Sequence, residues 1–265
     1  MRTEYPADLY AALHDGNEGD EDFYRAVCAG ADRVLELGCG SGRILAALAV
    51  QVAELFGVDS SEEALALARK SLPASVELRR GDMQTFDIGG GFDRVLIPFN
   101  GIYCLPDLAS VQRTFVQVER ALAPGGLLVF DGYAGDPIHE DDSFEEGFDE
   151  EAQIATVDAR GKRWRVFERS GYERSAQRFT VHYRYLADDD GEEILATIRH
   201  RYLRLGEALE ALERAGLEPI VAHGDFDQRV YDSDSDHMII TAQKNKPGAR
   251  HGDRKAFPRA VRHTT

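Results

Sequence analysis

Hydrophobic and polar positions along this chain follow two different periods. Up to about residue 133, short apolar runs are each followed by a stretch whose apolar positions recur three and four residues apart, which is the pattern of strands alternating with helices. The predicted strands are 34–37, 52–58, 76–79, 92–100 and 127–130, and the helices between them are 44–48, 62–71 and 108–122. This alternation indicates an α/β fold.

The period changes to two between residues 152 and 205. Apolar side chains alternate with polar ones around Trp164, Tyr183 and Ala196, and breaks at 159–161 and 188–191 indicate hairpin turns. We predict an antiparallel sheet of three or four strands, inserted between the fifth and sixth strands of the core. A helix at 206–215 and strands at 218–223 and 236–242 then close the chain.

The ends and one loop carry most of the remaining polar sequence. Two short helices around a polar loop are predicted within residues 1–30. Residues 134–151 are rich in Asp and Glu without an apolar period, which predicts an exposed acidic loop. From Lys244 onward the seven Lys and Arg residues oppose the single Asp253, which predicts a disordered basic tail.

Candidate chemistry is concentrated where the first strand meets the first core helix, in the sequence E-L-G-C-G-S-G of residues 36–42. Glycines at every second position allow backbone angles that a side chain forbids, and the amides of the following helix point into the same space. The dinucleotide fingerprint G-x-G-x-x-G is not matched, because Gly42 comes one residue early and Arg43 replaces the last glycine. No Lys-Ser or Lys-Thr follows, which argues against a nucleoside triphosphate site. A tight turn of an unrelated α/β protein is the plain alternative.

Acidic residues also follow the next two strands. Asp59 comes 21 positions after Gly38, a spacing at which a carboxylate can accept hydrogen bonds from both ribose hydroxyls. A turn acid or a helix cap is the alternative. After the third strand, Asp82 can accept a hydrogen bond from an exocyclic amine, and Met83 offers a soft apolar surface.

These motifs together resemble the class I S-adenosylmethionine-dependent methyltransferases over roughly residues 30 to 243. The glycine turn resembles the first motif of that family, Asp59 the second, and Gly81-Asp82-Met83 the third. Pro98-Phe99-Asn100 resembles the fourth motif of a bacterial subgroup that acts on small molecules. The resemblance implies a doubly wound, seven-stranded, mostly parallel sheet with the last strand antiparallel, and an inserted antiparallel β-sheet as a lid.

The same resemblance implies a domain organisation. Residues 1–30 form a helical N-terminal cap, 31–150 and 206–243 a Rossmann-like core, 151–205 the inserted sheet, and 244–265 the basic tail. In the resembled proteins the cap lies over the ligand pocket, which makes Tyr5, Tyr10 and His14 pocket candidates, although aromatic residues at helical spacing more often pack in a core.

The implied activity is in-line methyl transfer from S-adenosylmethionine to a nitrogen or oxygen of a small molecule. Asn100 and Tyr103 are expected to position that substrate as the catalytic residues. No metal is expected, and no residue stands out as a general base. The cofactor is expected to contact Glu36 with its amino group, Gly38 and Gly40 with its methionine part, Asp59 and Ser60 with its ribose, and Asp82, Met83 and Phe99 around its adenine and sulfonium.

Composition narrows the classes of partner. The 265 residues carry a formal net charge of -16, and such a surface repels phosphate backbones, so a nucleic-acid substrate is disfavoured. No apolar run is long enough for a transmembrane helix, and the start lacks a signal-peptide core, so the cytoplasm is expected and a membrane partner is not. The cysteines Cys28, Cys39 and Cys104 fit neither a disulfide framework nor a metal site.

Two alternatives and one question stay open at this stage. A non-catalytic S-adenosylmethionine-binding regulatory protein shares every binding motif with the enzyme. A nicotinamide-dependent oxidoreductase is opposed by Arg43 and by the closing pair of strands. The oligomeric state, a homodimer included, is not determined by the sequence.

Overall fold

The structure is a computed structural model, and it describes residues 5–143 and 145–245. One of its two sheets forms the centre of the molecule. The strands of this central sheet are β1 (Arg33–Leu37), β2 (Glu54–Asp59), β3 (Glu77–Arg80), β4 (Phe92–Ile97), β5 (Leu122–Tyr133), β11 (Leu217–His223) and β12 (His237–Lys244). Their order across the sheet is β11-β12-β5-β4-β1-β2-β3.

Strand direction in the central sheet agrees with the sequence-based expectation. β1 pairs in parallel with β2 and with β4, whereas β12 is antiparallel to both of its neighbours, β5 and β11. The predicted doubly wound, mostly parallel sheet with an antiparallel last strand is therefore confirmed. β5 is longer than predicted, because its ladder with β4 begins at Leu122 and runs through the Pro-Gly-Gly segment with a register shift.

Helices pack against the two sheets, the first of them against the inserted sheet, and amphipathic sequences place their apolar faces inward. They are α1 (Ala7–Leu13), α2 (Asp20–Val27), α3 (Arg43–Leu48), α4 (Glu62–Ser71), α5 (Leu108–Ala121), α6 (Gly135–Glu140) and α7 (Leu205–Arg214), with a short 3₁₀ helix at Gly101–Cys104. Side-chain caps fix the starts of two of them: Ser61 Oγ accepts the Ala64 N–H in α4, and an Asp107 oxygen accepts the Ser110 N–H in α5.

The second sheet is the insertion, and it has five strands rather than the three or four predicted. They are β6 (Gly147–Phe148), β7 (Ala152–Ala159), β8 (Lys162–Glu173), β9 (Arg178–Ala187) and β10 (Glu193–Arg201). The count was too low because β6 has only two residues and lies within 134–151, which the sequence predicts as a loop. The hairpin predicted at 159–161 is confirmed, with Arg160 and Gly161 both at positive φ.

The prediction of an acidic loop over 134–151 was wrong in part, since α6 and β6 lie within it. Asp136 holds the loop to the rest of the molecule: its carboxylate accepts the Leu205 N–H at 2.7 Å and the Tyr231 hydroxyl at 3.0 Å. Within this acidic run, Asp136 therefore serves as a structural hydrogen-bond acceptor.

The first residue of the predicted basic tail belongs to the central sheet. Lys244 is still part of β12, and residues 246–265 lie outside the described residues. In the part of the chain that the structure describes, no helix is both long enough and apolar enough to cross a membrane.

Candidate active site

A cavity of about 970 Å³ opens at the carboxyl ends of β1, β2 and β4, where ligands bind in open α/β sheets. Its volume is at the top of the range of about 300–1,000 Å³ known for ligand pockets, so it can hold more than one small ligand. We name its two walls. The floor consists of lining residues within 36–44, 58–64, 81–84 and 98–106, and the roof of lining residues within 5–14 and 173–201.

The glycine turn forms the centre of the floor. Gly38 and Gly40 adopt φ of 72° and 54°, and a Cβ built on Gly40 would meet no atom within 4 Å. The backbone is therefore open at Gly40, whereas a Cβ on Gly38 would be in ordinary contact with Met83, 3.6 Å away. Gly42 has a different function, because its Cβ would lie 2.6 Å from Leu72 Cδ1. The third glycine permits close packing of α3 against the end of α4.

Asp59 connects the tip of β2 to the glycine turn. Its Oδ2 accepts the Gly40 N–H at 2.8 Å, and its Oδ1 accepts the Ser61 N–H at 2.7 Å. Each oxygen keeps a further lone pair for a ligand, and the side chain lines the cavity. The carboxylate is thus held by backbone donors in a fixed orientation, with capacity left to accept two hydroxyl groups.

Glu36, in β1, contributes a buried carboxyl group to the floor. The residue is 3 % exposed, and its Oε2 has no hydrogen-bond partner among the described residues. Burial is the main cause that raises the pKa of Glu36 to about 8, with Asp59 adding to the rise and Arg43 opposing it. A buried acceptor without a donor is costly, and a cationic donor in the cavity would relieve that cost.

The far end of the floor holds three of the predicted residues. Asp82 Oδ1 accepts the Gln84 N–H at 2.8 Å, Met83 is half-buried, and Ser60 is exposed, and all three line the cavity. All eight residues predicted to bind the cofactor thus surround one space. Their individual contacts with a ligand stay predictions.

The residues of the floor fit S-adenosylmethionine. Glu36 supplies an unpartnered carboxyl for an ammonium group, the bare backbone of the glycine turn admits a close approach, and Asp59 offers acceptors for two hydroxyls. Asp82 and Met83 add a polar and an apolar contact of the kind that a purine needs. These groups of the floor are thus complementary to an ammonium cation, a ribose diol and a planar base.

The tip of β4 is held in an unusual conformation beside the cavity. Phe99 and Asn100 adopt φ of 53° and 61°, which non-glycine residues rarely do. Asp131 explains why they do so here: the Phe99 N–H lies 3.0 and 2.9 Å from its two carboxylate oxygens, and Tyr24 donates to Oδ1 at 2.5 Å. Burial raises the pKa of Asp131 to about 6.

Arg43 also reaches this tip. Its guanidinium donates to both oxygens of the buried Asp20, at 2.8 and 2.6 Å, and its Cζ lies 5.8 Å from the centre of the Phe99 ring. The pair joins α2 to the start of α3. Arg43, which departs from the dinucleotide fingerprint, therefore has a structural role beneath the floor.

On the roof, an aromatic cluster carries a histidine into the cavity. His14 Nε2 lies 3.3 Å from the Tyr5 hydroxyl, which lies 2.6 Å from the Tyr185 hydroxyl. Tyr185 in turn donates to the Leu9 carbonyl at 3.3 Å. If Tyr185 donates to Leu9, the Tyr5 hydroxyl donates its proton to the Tyr185 oxygen. The Tyr5 oxygen then accepts from His14 Nε2–H, which leaves the lone pair of the neutral ring on Nδ1. Burial lowers the pKa of His14 to about 4, which keeps the ring neutral.

The two predicted catalytic residues lie elsewhere. Tyr103 is fully buried in the core, where its hydroxyl donates to the Tyr133 carbonyl at 2.8 Å. Asn100 Oδ1 accepts the Tyr133 N–H at 2.9 Å. Neither belongs to the described residues that line the cavity. The Tyr103 hydroxyl and the Asn100 Oδ1 are thus both bonded to β5, and contact with a substrate stays a prediction that this geometry does not favour.

Sequence reasoning gave no role to two residues that matter here. Asp131 directly follows the predicted strand 127–130, and His200 lies within the predicted inserted sheet. An acid at the end of an apolar run was a usable signal for Asp131, because a buried carboxylate needs donors. His200 lines the cavity opposite the floor, and no local pattern marks it.

Comparisons with known proteins show what this chain is similar to. Residues 34–126 match the family described as "Methyltransferase domain". The chain is 28% identical over 193 residues to the dTDP-3-amino-3,6-dideoxy-alpha-D-glucopyranose N,N-dimethyltransferase of Streptomyces fradiae, which covers 70% of this chain and 72% of that protein.

Two solved structures resemble the whole fold. The CcbJ methyltransferase from Streptomyces caelestis superposes with a TM-score of 0.73 at 27% identity, covering 87% of this chain and 98% of that one. CalS10, an amino pentose methyltransferase from Micromonospora echinaspora solved with SAM bound, gives a TM-score of 0.68 at 25% identity, with 89% and 95% covered. The likeness therefore extends far beyond the glycine turn.

Proposed function

Because the chain belongs to the class I S-adenosylmethionine-dependent methyltransferases, we propose that it methylates the amino group of a small amino-sugar-like molecule. The carrying observation is that one cavity joins the floor, with its unpartnered Glu36, to a roof lined by His14, whose Nε2 lies 3.3 Å from the Tyr5 hydroxyl. An amino sugar matches what the Streptomyces fradiae relative and CalS10 are named for.

The floor holds the cofactor. Glu36 binds the ammonium of its methionine part, Asp59 its ribose hydroxyls, and Asp82 with Met83 its adenine. When bound, S-adenosylmethionine supplies a methyl group on a sulfonium, an already activated leaving group. The protein then has to align an acceptor and exclude water.

Phe99 separates the two halves of the cavity. Its ring centre lies 6.2 Å from that of His14, so this side chain would border both the bound cofactor and the acceptor. The positive φ at the tip is set in advance by Asp131, which means that the ring does not have to be ordered when ligands bind.

His14 serves the acceptor amine. An amine attacks with its lone pair and must therefore enter unprotonated, with its N–H groups free to donate. The Nδ1 of a neutral His14 accepts one of them and so orients the lone pair along the line of attack. Its low pKa makes it an orienting acceptor rather than a strong base, and the proton released after transfer goes to solvent.

Mass spectrometry with a matched panel tests this proposal. The protein is incubated with S-adenosylmethionine and pairs of sugars that differ only by an amino or a hydroxyl group at one carbon. We expect a mass gain of one methylene on amino members alone. Methylation of hydroxyl members alone would reject the amine assignment, and failure of S-adenosylhomocysteine to bind in calorimetry would reject the cofactor site itself.

A further inference from the structure

A histidine without a hydrogen-bond partner follows the apolar residues on the inner face of the inserted sheet. Side chains two residues apart along a strand share one face. The three positions of β10 that precede His200 on its face are apolar, and they pack in the cluster that contains Leu9 of α1: Ile194, Ala196 and Ile198. His200 is therefore on the face of the sheet that covers α1, and it lines the cavity.

Aromatic side chains hold the ring of His200 in place without bonding to it. Its centre lies 5.9 Å from that of Tyr133 and 6.3 Å from that of Tyr103. Neither ring nitrogen hydrogen-bonds to any described residue, although the Tyr133 hydroxyl is itself buried without a described partner. Burial is the main cause that lowers the pKa of His200 to about 4, with His14 adding to it. Buried polar groups are normally hydrogen-bonded, so this neutral imidazole indicates a polar group supplied by a ligand.

His14 and His200 reach the tip of β4 from different elements. His14 follows the last residue of α1, and its ring centre lies 6.2 Å from that of Phe99. His200 is near the end of β10 and contacts Tyr103, in the 3₁₀ helix that follows the same tip. Both histidines line the cavity. A ligand atom that enters beside Phe99 can therefore meet both rings.

A primary amine needs two acceptors to be fixed for attack. Its nitrogen carries one lone pair and two N–H groups, and a single hydrogen bond leaves the group free to rotate about that bond. When both N–H groups are held, the lone pair has one direction, and alignment of the attacking atom lowers the barrier of such a displacement. Two neutral imidazoles supply the two acceptors.

We propose that His200 accepts the second N–H of a primary acceptor amine and, together with His14, directs its lone pair toward the methyl group. As the N–C bond forms, the S–C bond breaks with its electron pair on sulfur, and the surplus proton of the product leaves to solvent. This rests on the proposed function and deepens it, because it makes a primary amine the preferred acceptor. A secondary amine has one N–H, which either histidine can accept, so the second imidazole adds nothing to its alignment.

A matched pair of acceptors tests the role of His200: the amino sugar with the largest mass gain in the panel above, and its N-methyl derivative. Initial rates are measured with saturating S-adenosylmethionine. His200→Leu should lower kcat about tenfold for the primary amine, since one N–H loses its acceptor, and less than about threefold for the N-methyl acceptor. His200→Gln keeps an acceptor oxygen and should retain more of the primary-amine kcat. The KM for S-adenosylmethionine should stay the same in both variants.

Two further variants sharpen this comparison. His182→Leu is the matched control, because His182 lies on the other face of β9, outside the cavity lining, and bonds to Thr197. It should leave both kcat values unchanged. The double variant His14→Ala/His200→Leu should lower kcat for the N-methyl acceptor about tenfold, because no imidazole is left to accept its N–H. Circular dichroism confirms that the variants are folded, and His200→Ala takes the place of His200→Leu if that one is not.

The other outcomes count against this role. Equal losses for the two acceptors in His200→Leu would mean that the ring supports the fold or holds another group of the substrate. Losses no larger than those of His182→Leu would remove His200 from the site and leave the proposed function intact. No turnover of the N-methyl acceptor by the unchanged protein would mean that steric exclusion sets the preference. If the unchanged protein methylates no amine of the panel, the proposed function itself fails.

Discussion

The floor and the roof of the cavity are built by different means. On the floor, backbone groups of neighbouring segments hold the important side chains: the Gly40 N–H and Asp59 are 19 positions apart. On the roof, side chains meet across almost the whole chain: Tyr5 and Tyr185 are 180 positions apart. The comparison teaches that the cofactor half of such a site is local in sequence, whereas the substrate half is assembled only by the tertiary fold.

The largest effect on stability is expected at Asp131, the buried carboxylate that holds the tip of β4. Asp131→Ala should lower the free energy of unfolding by about 3 kcal/mol or more, because it leaves the Phe99 N–H and the Tyr24 hydroxyl buried without acceptors. Urea unfolding measures this. Tyr24→Phe is the control and should cost about 1 kcal/mol, since both contacts from Phe99 remain. Equal losses in the two variants would contradict the central role of Asp131.

Removing the ribose acceptor should affect the floor alone. Asp59→Ala is expected to weaken S-adenosylhomocysteine binding about tenfold or more, because hydrogen bonds to a charged group contribute about 1.5–3 kcal/mol. Calorimetry gives the dissociation constant. Glu62→Ala, which removes an exposed acid of α4, should leave it unchanged, and an unaltered constant in the Asp59 variant would refute the assignment.

Glu36 should make cofactor binding depend on pH. With its pKa near 8, Glu36 holds a proton at neutral pH in the free protein and loses it when a cation binds. Affinity should therefore rise about tenfold per pH unit up to about pH 8 and level off above it. Glu36→Gln should abolish this dependence in calorimetry between pH 6 and 9, and a slope that persists in that variant would assign it to another group.

The same substitution has a second, opposite consequence. The folded protein retains the proton of Glu36 at pH values where the unfolded chain has released it, so stability falls as pH rises from about 4.5 to about 8. Glu36→Gln should remove that loss. We expect thermal unfolding of this variant to occur at higher temperature than that of the wild type at pH 8, in the absence of ligand.

The smallest effects are expected on the roof, and they sharpen the comparison. His14→Ala should lower kcat about tenfold for the amine identified by mass spectrometry, because one orienting hydrogen bond is lost, and should leave cofactor affinity unaltered. Tyr5→Phe removes only the hydroxyl that contacts His14 Nε2, so its effect on kcat should be smaller. His182→Ala, on a histidine outside the cavity lining, is the control. A fall in cofactor affinity in His14→Ala would show that the two halves are not independent.

The floor could be predicted from the sequence because its chemistry is carried by residues close to strand ends. A glycine turn, an acid about twenty positions later and Gly-Asp-Met after the next strand are readable without a structure, and they do surround one cavity. The parallel sheet with an antiparallel last strand was readable for the same reason, since each strand carries its own apolar run.

The rest could not be predicted because it depends on which strands become neighbours. Nothing near Arg178 in the sequence indicates that Arg201 lies opposite it. Tyr103 looked like a site residue because it follows the β4 tip, yet the 3₁₀ helix Gly101–Cys104 turns its ring into the core. β6 was missed because it has only two residues, which pair with β8 within a run of acidic positions.

The burial of Leu9 in α1 has a consequence for synthesis on the ribosome. Leu9 is fully buried in a cluster with Trp164 and Tyr185, and its carbonyl accepts the Tyr185 hydroxyl from 176 positions further along the chain. At about 5–20 residues translated per second, this helix waits roughly 10 to 35 seconds for its partners to emerge. During that interval its apolar side chains are a target for chaperones, while the glycine turn and β2 are already complete.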